Sequence, residues 1–99
     1  MIRRAYVLKV DGTIEHLDHR PTLEEAQKVV GGWVEMMPMH LCRTPRLTAF
    51  GDEEGRLKGY ALNRKATDLL SYPVVGAILI LEGWKTLAEN HQYFKRPHL

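Results

Sequence analysis

The sequence predicts an α+β domain, a mostly antiparallel sheet of about five to six strands in the order ββαβββαβ, with two short helices packed on it. Three features lead there. Asp11-Gly12 separates two short β-prone runs, Thr22 and Glu25 stand at capping-box spacing ahead of an apolar helical stripe, and Val74–Leu81 is a β-branched apolar run.

The runs Tyr6–Val10 and Thr13–Leu17 flank Asp11-Gly12, which tolerates positive φ and suits a two-residue type I′ turn, so the chain is expected to open with a β-hairpin. Thr22 and Glu25 can satisfy each other's free N–H groups at a helix start. Leu23, Ala26, Val29 and Val30 then share one face while Glu24, Gln27 and Lys28 face water. Gly31-Gly32 supplies the left-handed backbone that ends such a helix. In Trp33–Met39, Trp33, Glu35, Met37 and Met39 alternate with Val34, Met36 and Pro38; both sets are mostly apolar, which predicts a strand inside the sheet, with Pro38 marking its exit. Leu41–Arg46 contains Thr44-Pro45 and reads as a loop. Leu47–Phe50 and Arg56–Leu62 are extended runs joined by the polar stretch Gly51-Asp52-Glu53-Glu54-Gly55, a second expected hairpin. Asn63 suits the cap of a helix over 64–70, where Ala66, Leu69 and Leu70 share a face and Ser71-Tyr72-Pro73 stops the turn. Val74–Leu81 is predicted as a central strand. Trp84, Leu87, Ala88 and His91 match helical spacing, but His91–Leu99 has no period, so a short C-terminal helix and an aperiodic tail both stay open.

The 99 residues fit one domain, with its compact part over about residues 5–82. A chain that is 44% hydrophobic and 26% charged resembles an average globular protein, which excludes wholesale disorder. Fourteen Lys and Arg against twelve Asp and Glu leave a charge of +2, interleaved along the chain, whereas a nucleic-acid binder usually shows a clustered basic stripe; nucleic acid is not indicated. The longest apolar run is about half of a membrane span, and Met1-Ile2-Arg3-Arg4 is not followed by the apolar stretch of a leader, so no membrane partner is expected. The single Cys42 fits a reducing compartment, and the expected location is cytoplasmic. Two Trp, four Tyr and four Met exceed what two short helices cover, so a homodimer is an expected way to bury the surplus.

Sites with chemistry are few. His16, His19, His40 and Cys42 are the one candidate metal set, but their spacing matches no zinc signature, and polar loop histidines explain them as well. His40 and Cys42 share a face of an extended segment without specific pairing, the only serine, Ser71, reads as a turn residue, and Glu53-Glu54 reads as a solvated turn. Met36, Met37 and Met39 form a local cluster that serves either as core filler or as an adaptable groove. If the face carrying Trp33 and Glu35 is not covered, Trp33 can stack on a flat ligand while Glu35 accepts hydrogen bonds from it. Asn63, Arg64 and Lys65 place a helix start beside two cations, which suits an anion; the plain alternative is a cap with two solvated side chains.

The runs Val30-Gly31-Gly32-Trp33-Val34-Glu35, Asp52-Glu53-Glu54-Gly55-Arg56-Leu57-Lys58, Asn63-Arg64-Lys65-Ala66-Thr67 and Val75-Gly76, in that order, resemble the pattern of the small domain of unknown function numbered 3846, found in phages, plasmids, bacteria and large viruses. The resemblance covers roughly residues 5–82. It implies a mobile-element or viral setting in which small accessory proteins act by binding, and it brings no catalytic residue, substrate or cofactor. The leading expectation is therefore a non-enzymatic binding module for a protein partner or a small anionic ligand. One alternative is nucleotide or nucleic-acid binding through Arg64 and Lys65, with Arg56 and Lys58 on the preceding strand; the other is a small hydrolase or transferase whose site residues the sequence does not pair.

Overall fold

A computed structural model of the chain describes residues 2–44 and 46–88. Its elements are β1 (Arg4–Leu8), β2 (Ile14–Leu17), α1 (Leu23–Val30), β3 (Val34–Met36), β4 (Leu47–Asp52), α2 (Arg64–Leu70) and β5 (Ile78–Glu82). The strands form one antiparallel sheet in the order β2-β1-β5-β4-β3. The α+β architecture thus holds.

β5 explains why the sheet has two covered faces. Leu79 and Leu81 join Ala5, Val7 and Phe50 beneath Ala26 of α1, while Ile78 and Ile80 join Leu8 and Ala49 beneath Ala66 and Leu70 of α2. These four β5 side chains are fully buried, as a continuous apolar strand flanked by β1 and β4 should be. Burying each contributes about 1.5–3 kcal/mol.

Both helices start and stop where their caps direct. The Thr22–Glu25 capping box is formed at α1, and Gly31 ends that helix at φ 95, a conformation that costs glycine little. Asn63 caps α2 through Ala66 N–H, and Ser71 ends it at φ 68.

Three local expectations need correction, and one alternative left open is narrowed. The first hairpin does not turn on a type I′ pair. Gly12 N–H donates to Lys9 O, Gly12 lies at φ 91, and Asp11 lacks the positive φ that a type I′ turn requires, so the loop is one residue longer, with Gly12 as the bulge. β3 is an edge strand, not an interior one: only β4 pairs with it, and Trp33 and Met36 are exposed. Arg56–Leu62 is not the second arm of a hairpin. Residues 53–59 coil in successive turns, with Gly55 N–H donating to Asp52 O and Lys58 N–H to Glu54 O, and only Leu62 makes a strand-like bridge, to Val75. Finally, residues 83–88 are not helical: Trp84 and Leu87 pack on the α1-side core, and Ala88 N–H donates to Pro21 O. His91 and the rest of the predicted tail lie outside the described residues. No helix among the described residues is long and apolar enough to cross a membrane.

Candidate functional site

β4 ends at Asp52, whose side chain is 2% exposed although it is ionisable. Its burial is compensated. Lys58 Nζ and the Tyr60 hydroxyl donate to Oδ2 at 2.7 and 2.9 Å, and Glu54 N–H donates to Oδ1 at 2.8 Å. Burial pushes this carboxyl up, but the three donors and the charge of Lys58 outweigh burial and hold it below the usual carboxylate range. Lys58 Nζ also donates to Gly31 O at 3.1 Å, at the end of α1 where a cation is favoured. Tyr60 fits here only because Gly76 leaves room: a Cβ there would stand 2.5 Å from its ring, on a backbone at φ 78. Nearby, Asn63 is fully buried and donates through Nδ2 to Leu8 O and Gly76 O, both at 2.8 Å.

The residues that carried the resemblance therefore converge on one framework that fastens the 53–59 turns and α2 to the sheet. Asp52 gives that framework a pH signature. Because its pKa is lower folded than unfolded, its contribution is present above the unfolded value near 3.8 and is lost as pH falls through the folded one. Urea unfolding should show wild type losing stability from about pH 5 downward more steeply than Asp52→Asn, itself the less stable protein at pH 7. Coincident pH profiles would contradict the described hold on the carboxylate.

Beside this framework, on the α2 side of the sheet, lies a cleft of about 230 Å³ bounded by Glu35 and Met37 of the β3 segment, by Glu53, Arg56 and Leu57 of the turns, and by Tyr72 after α2. Its walls are tied: Arg56 Nη2 donates to Pro73 O at 3.0 Å and the Tyr72 hydroxyl to Pro38 O at 2.9 Å. Along the outer rim runs the β3 edge. Glu53 N–H donates to Trp33 O and Met37 N–H to Ala49 O, and Glu35 lies opposite Gly51, so residues 33, 35 and 37 turn their backbone groups toward β4. By alternation, the N–H and C=O groups of Val34 and Met36 face outward. Trp33, Met36 and Leu57 around this edge are 64%, 58% and 87% exposed.

The five site residues expected from sequence are not brought together. Trp33 and Glu35 stand at the β3 edge, the latter on the cleft. Lys65 stands at the opposite end of the same sheet face, in a recess with Arg4, Tyr6, Ile14 and His16 of β1 and β2. The two outer strands are separated by four strand spacings, about 19 Å. Asn63 is buried, Arg64 is exposed, and Arg56 and Lys58 are drawn to Pro73 O and Asp52 rather than to α2. Met36 is exposed, which leaves the groove reading of the methionine cluster open at that residue, and Leu57 was missed as a surface feature because a Leu in an extended run carries no sign of exposure.

The titratable loop residues also have definite places. His19 bonds Asp18 Oδ1 at 2.6 Å and Glu25 Oε2 at 2.7 Å, and these two carboxylates raise its pKa. His16 packs against the Tyr6 ring, and Cys42 Sγ donates to Thr44 O at 3.6 Å. Among the described residues, no three His, Cys, Asp or Glu side chains are grouped to hold a metal ion.

No curated protein and no solved structure matches the chain. The four motif runs that converge on the Asp52–Tyr60–Asn63 framework lie within residues 2–95, all of which match one family model, past the point at Glu82 where the motif resemblance stops; the chain belongs to the family described as Domain of unknown function (DUF3846).

Proposed function

We propose that the chain is a non-catalytic binding module that captures an extended segment of a protein partner along β3, in the accessory role of a mobile-element or viral protein. The observation that supports this reading is the open β3 edge. Val34 and Met36 offer outward N–H and C=O groups, and exposed Trp33, Met36 and Leu57 surround them. Sheets generally blunt such edges with charge or cover them, since a bare apolar edge templates further pairing. The other edge is blunted: on β2, Glu15 pairs with Lys9 and His16 is exposed.

An added strand gains affinity from main-chain hydrogen bonds and specificity from side-chain pockets. Here the pocket is the cleft. Glu35 and Glu53 at its rim complement the charge of a Lys or Arg from the partner, and Met37, Val74 and Ile78 in its lining suit that side chain's alkyl stem.

A displayed library of linear peptides panned against the purified protein should enrich β-prone sequences containing Lys or Arg. Met36→Pro should weaken their binding at least tenfold while leaving the circular dichroism spectrum unchanged, because the Met36 N–H points away from β4 and proline is tolerated there. Enriched peptides that bind Met36→Pro as well as wild type would overturn the edge reading, and so would a failure to enrich any. A dimer in sedimentation that Met36→Pro returns to 11.4 kDa would place a second copy on the edge instead of a partner.

A further inference from the structure

We propose a second site, independent of β3: the recess between α2 and the β1–β2 hairpin takes a nucleoside phosphate, either free or within a single-stranded nucleic acid. α2 covers Leu8, Ile78 and Ile80 but leaves the β1–β2 end of the same sheet face open. The result is a recess of about 340 Å³, lined by Arg4, Tyr6, Leu8, Ile14, His16, Lys65 and Leu69. That is a size at which small-ligand pockets occur.

The floor suits a flat ring. Tyr6 and His16 face each other across the β1–β2 ladder, with ring centroids 5.7 Å apart and planes tilted by 47°. Two aromatic rings side by side on an open sheet face form a stacking platform, and Ile14 and Leu69 add apolar contact at its margin. The Arg4 guanidinium, 5.6 Å from the Tyr6 ring centre, brings positive charge to the same platform.

The walls suit an anion. None of the lining residues is acidic. Glu82 is bonded to Arg4, while Lys65 makes no ion pair among the described residues. A base lying on Tyr6 and His16 would thus present its phosphate to Lys65. The β3 cleft has the opposite character, with Glu35 and Glu53 at its rim, so charge sends an anion to this recess and away from that cleft. The α2 terminus itself contributes no anchor, because Asn63 Oδ1 already accepts the Ala66 N–H.

The test uses the full chain with three probes: a fluorescent oligothymidylate of about eight nucleotides, AMP, and inorganic phosphate. His16 and Lys65 are exposed and their loss should not affect folding, which circular dichroism verifies. Wild type should bind the oligonucleotide or AMP saturably. His16→Ala should weaken that binding about fivefold or more, and Lys65→Ala should weaken it and lower the dependence of log affinity on log salt by about one unit. AMP binding as tight as that of the oligonucleotide assigns a free nucleotide, whereas a tenfold or greater preference for the oligonucleotide assigns a single strand. Met36→Pro should bind as wild type does. The proposal fails if neither nucleotide probe binds, if both variants bind like wild type, or if phosphate alone binds as tightly as AMP.

Discussion

Ile80→Asp abolishes folding, and Leu79→Asp does the same from the other face: this is the largest effect expected of any single substitution in the chain. Both residues are fully buried in β5, the middle strand, one against the α2 side and one against the α1 side. A carboxylate there meets neither water nor a cation, and an unpaired buried charge costs several kcal/mol even after relaxation. Lost apolar burial adds about 1.5–3 kcal/mol. A domain of this size has about 5–15 kcal/mol of stability in total. Purified variants should therefore lack cooperative thermal unfolding and should be digested rapidly by protease. A soluble Ile80→Asp protein with a wild-type circular dichroism spectrum would contradict the central placement of β5.

Asn63→Ala follows, with an expected loss of about 3 kcal/mol, well beyond that of an ordinary cap. Loss of the bond from Ala66 N–H costs about 1 kcal/mol, as at other N-caps. The remainder comes from Leu8 O and Gly76 O, buried carbonyls left without the Nδ2 donor, at about 1 kcal/mol or more each. Asn63→Asp separates the two contributions: it keeps the acceptor for Ala66 N–H but turns a carboxylate oxygen toward the two carbonyls. In urea unfolding it should be at least as destabilised as Asn63→Ala. If Asn63→Asp were as stable as wild type, the bonds to Leu8 and Gly76 would contribute nothing.

What the sequence disclosed depended on how far apart the deciding residues lie. Thr22 with Glu25, and Asn63 with Ala66, settle their helices within one turn, and both helices have the expected bounds. Val74–Leu81 announced a central strand by its β-branched, apolar content, although the strand begins later, at Ile78. The Trp33–Met39 run misled for the complementary reason. Alternation reports which residues share a face, not whether another element lies against it, so an edge strand with exposed Trp33 and Met36 looked interior. Arg56–Leu62 looked extended because its turns are imposed by Asp52, and that buried carboxylate was not legible as an ion-pair partner of Lys58. Among the site residues, Trp33 and Glu35 were found together, but Lys65 acquires Tyr6 and His16 as neighbours only because α2 packs beside the β1–β2 end of the sheet.

The position of β5 also bears on the order of assembly. β1 with β2 and β3 with β4 are neighbours along the chain; Ala5 pairs with Leu17. β5 must instead find β1 across 78 positions, from Arg4 to Glu82. Closing that loop costs about 1.7 kcal/mol more than closing one of 12 residues, before any contact compensates it. Distant pairing of this kind slows folding. The two local hairpins are therefore expected to form before β5 joins them, each with an unpaired edge where β5 belongs, and pairing of that central strand with β1 is the step expected to be slow.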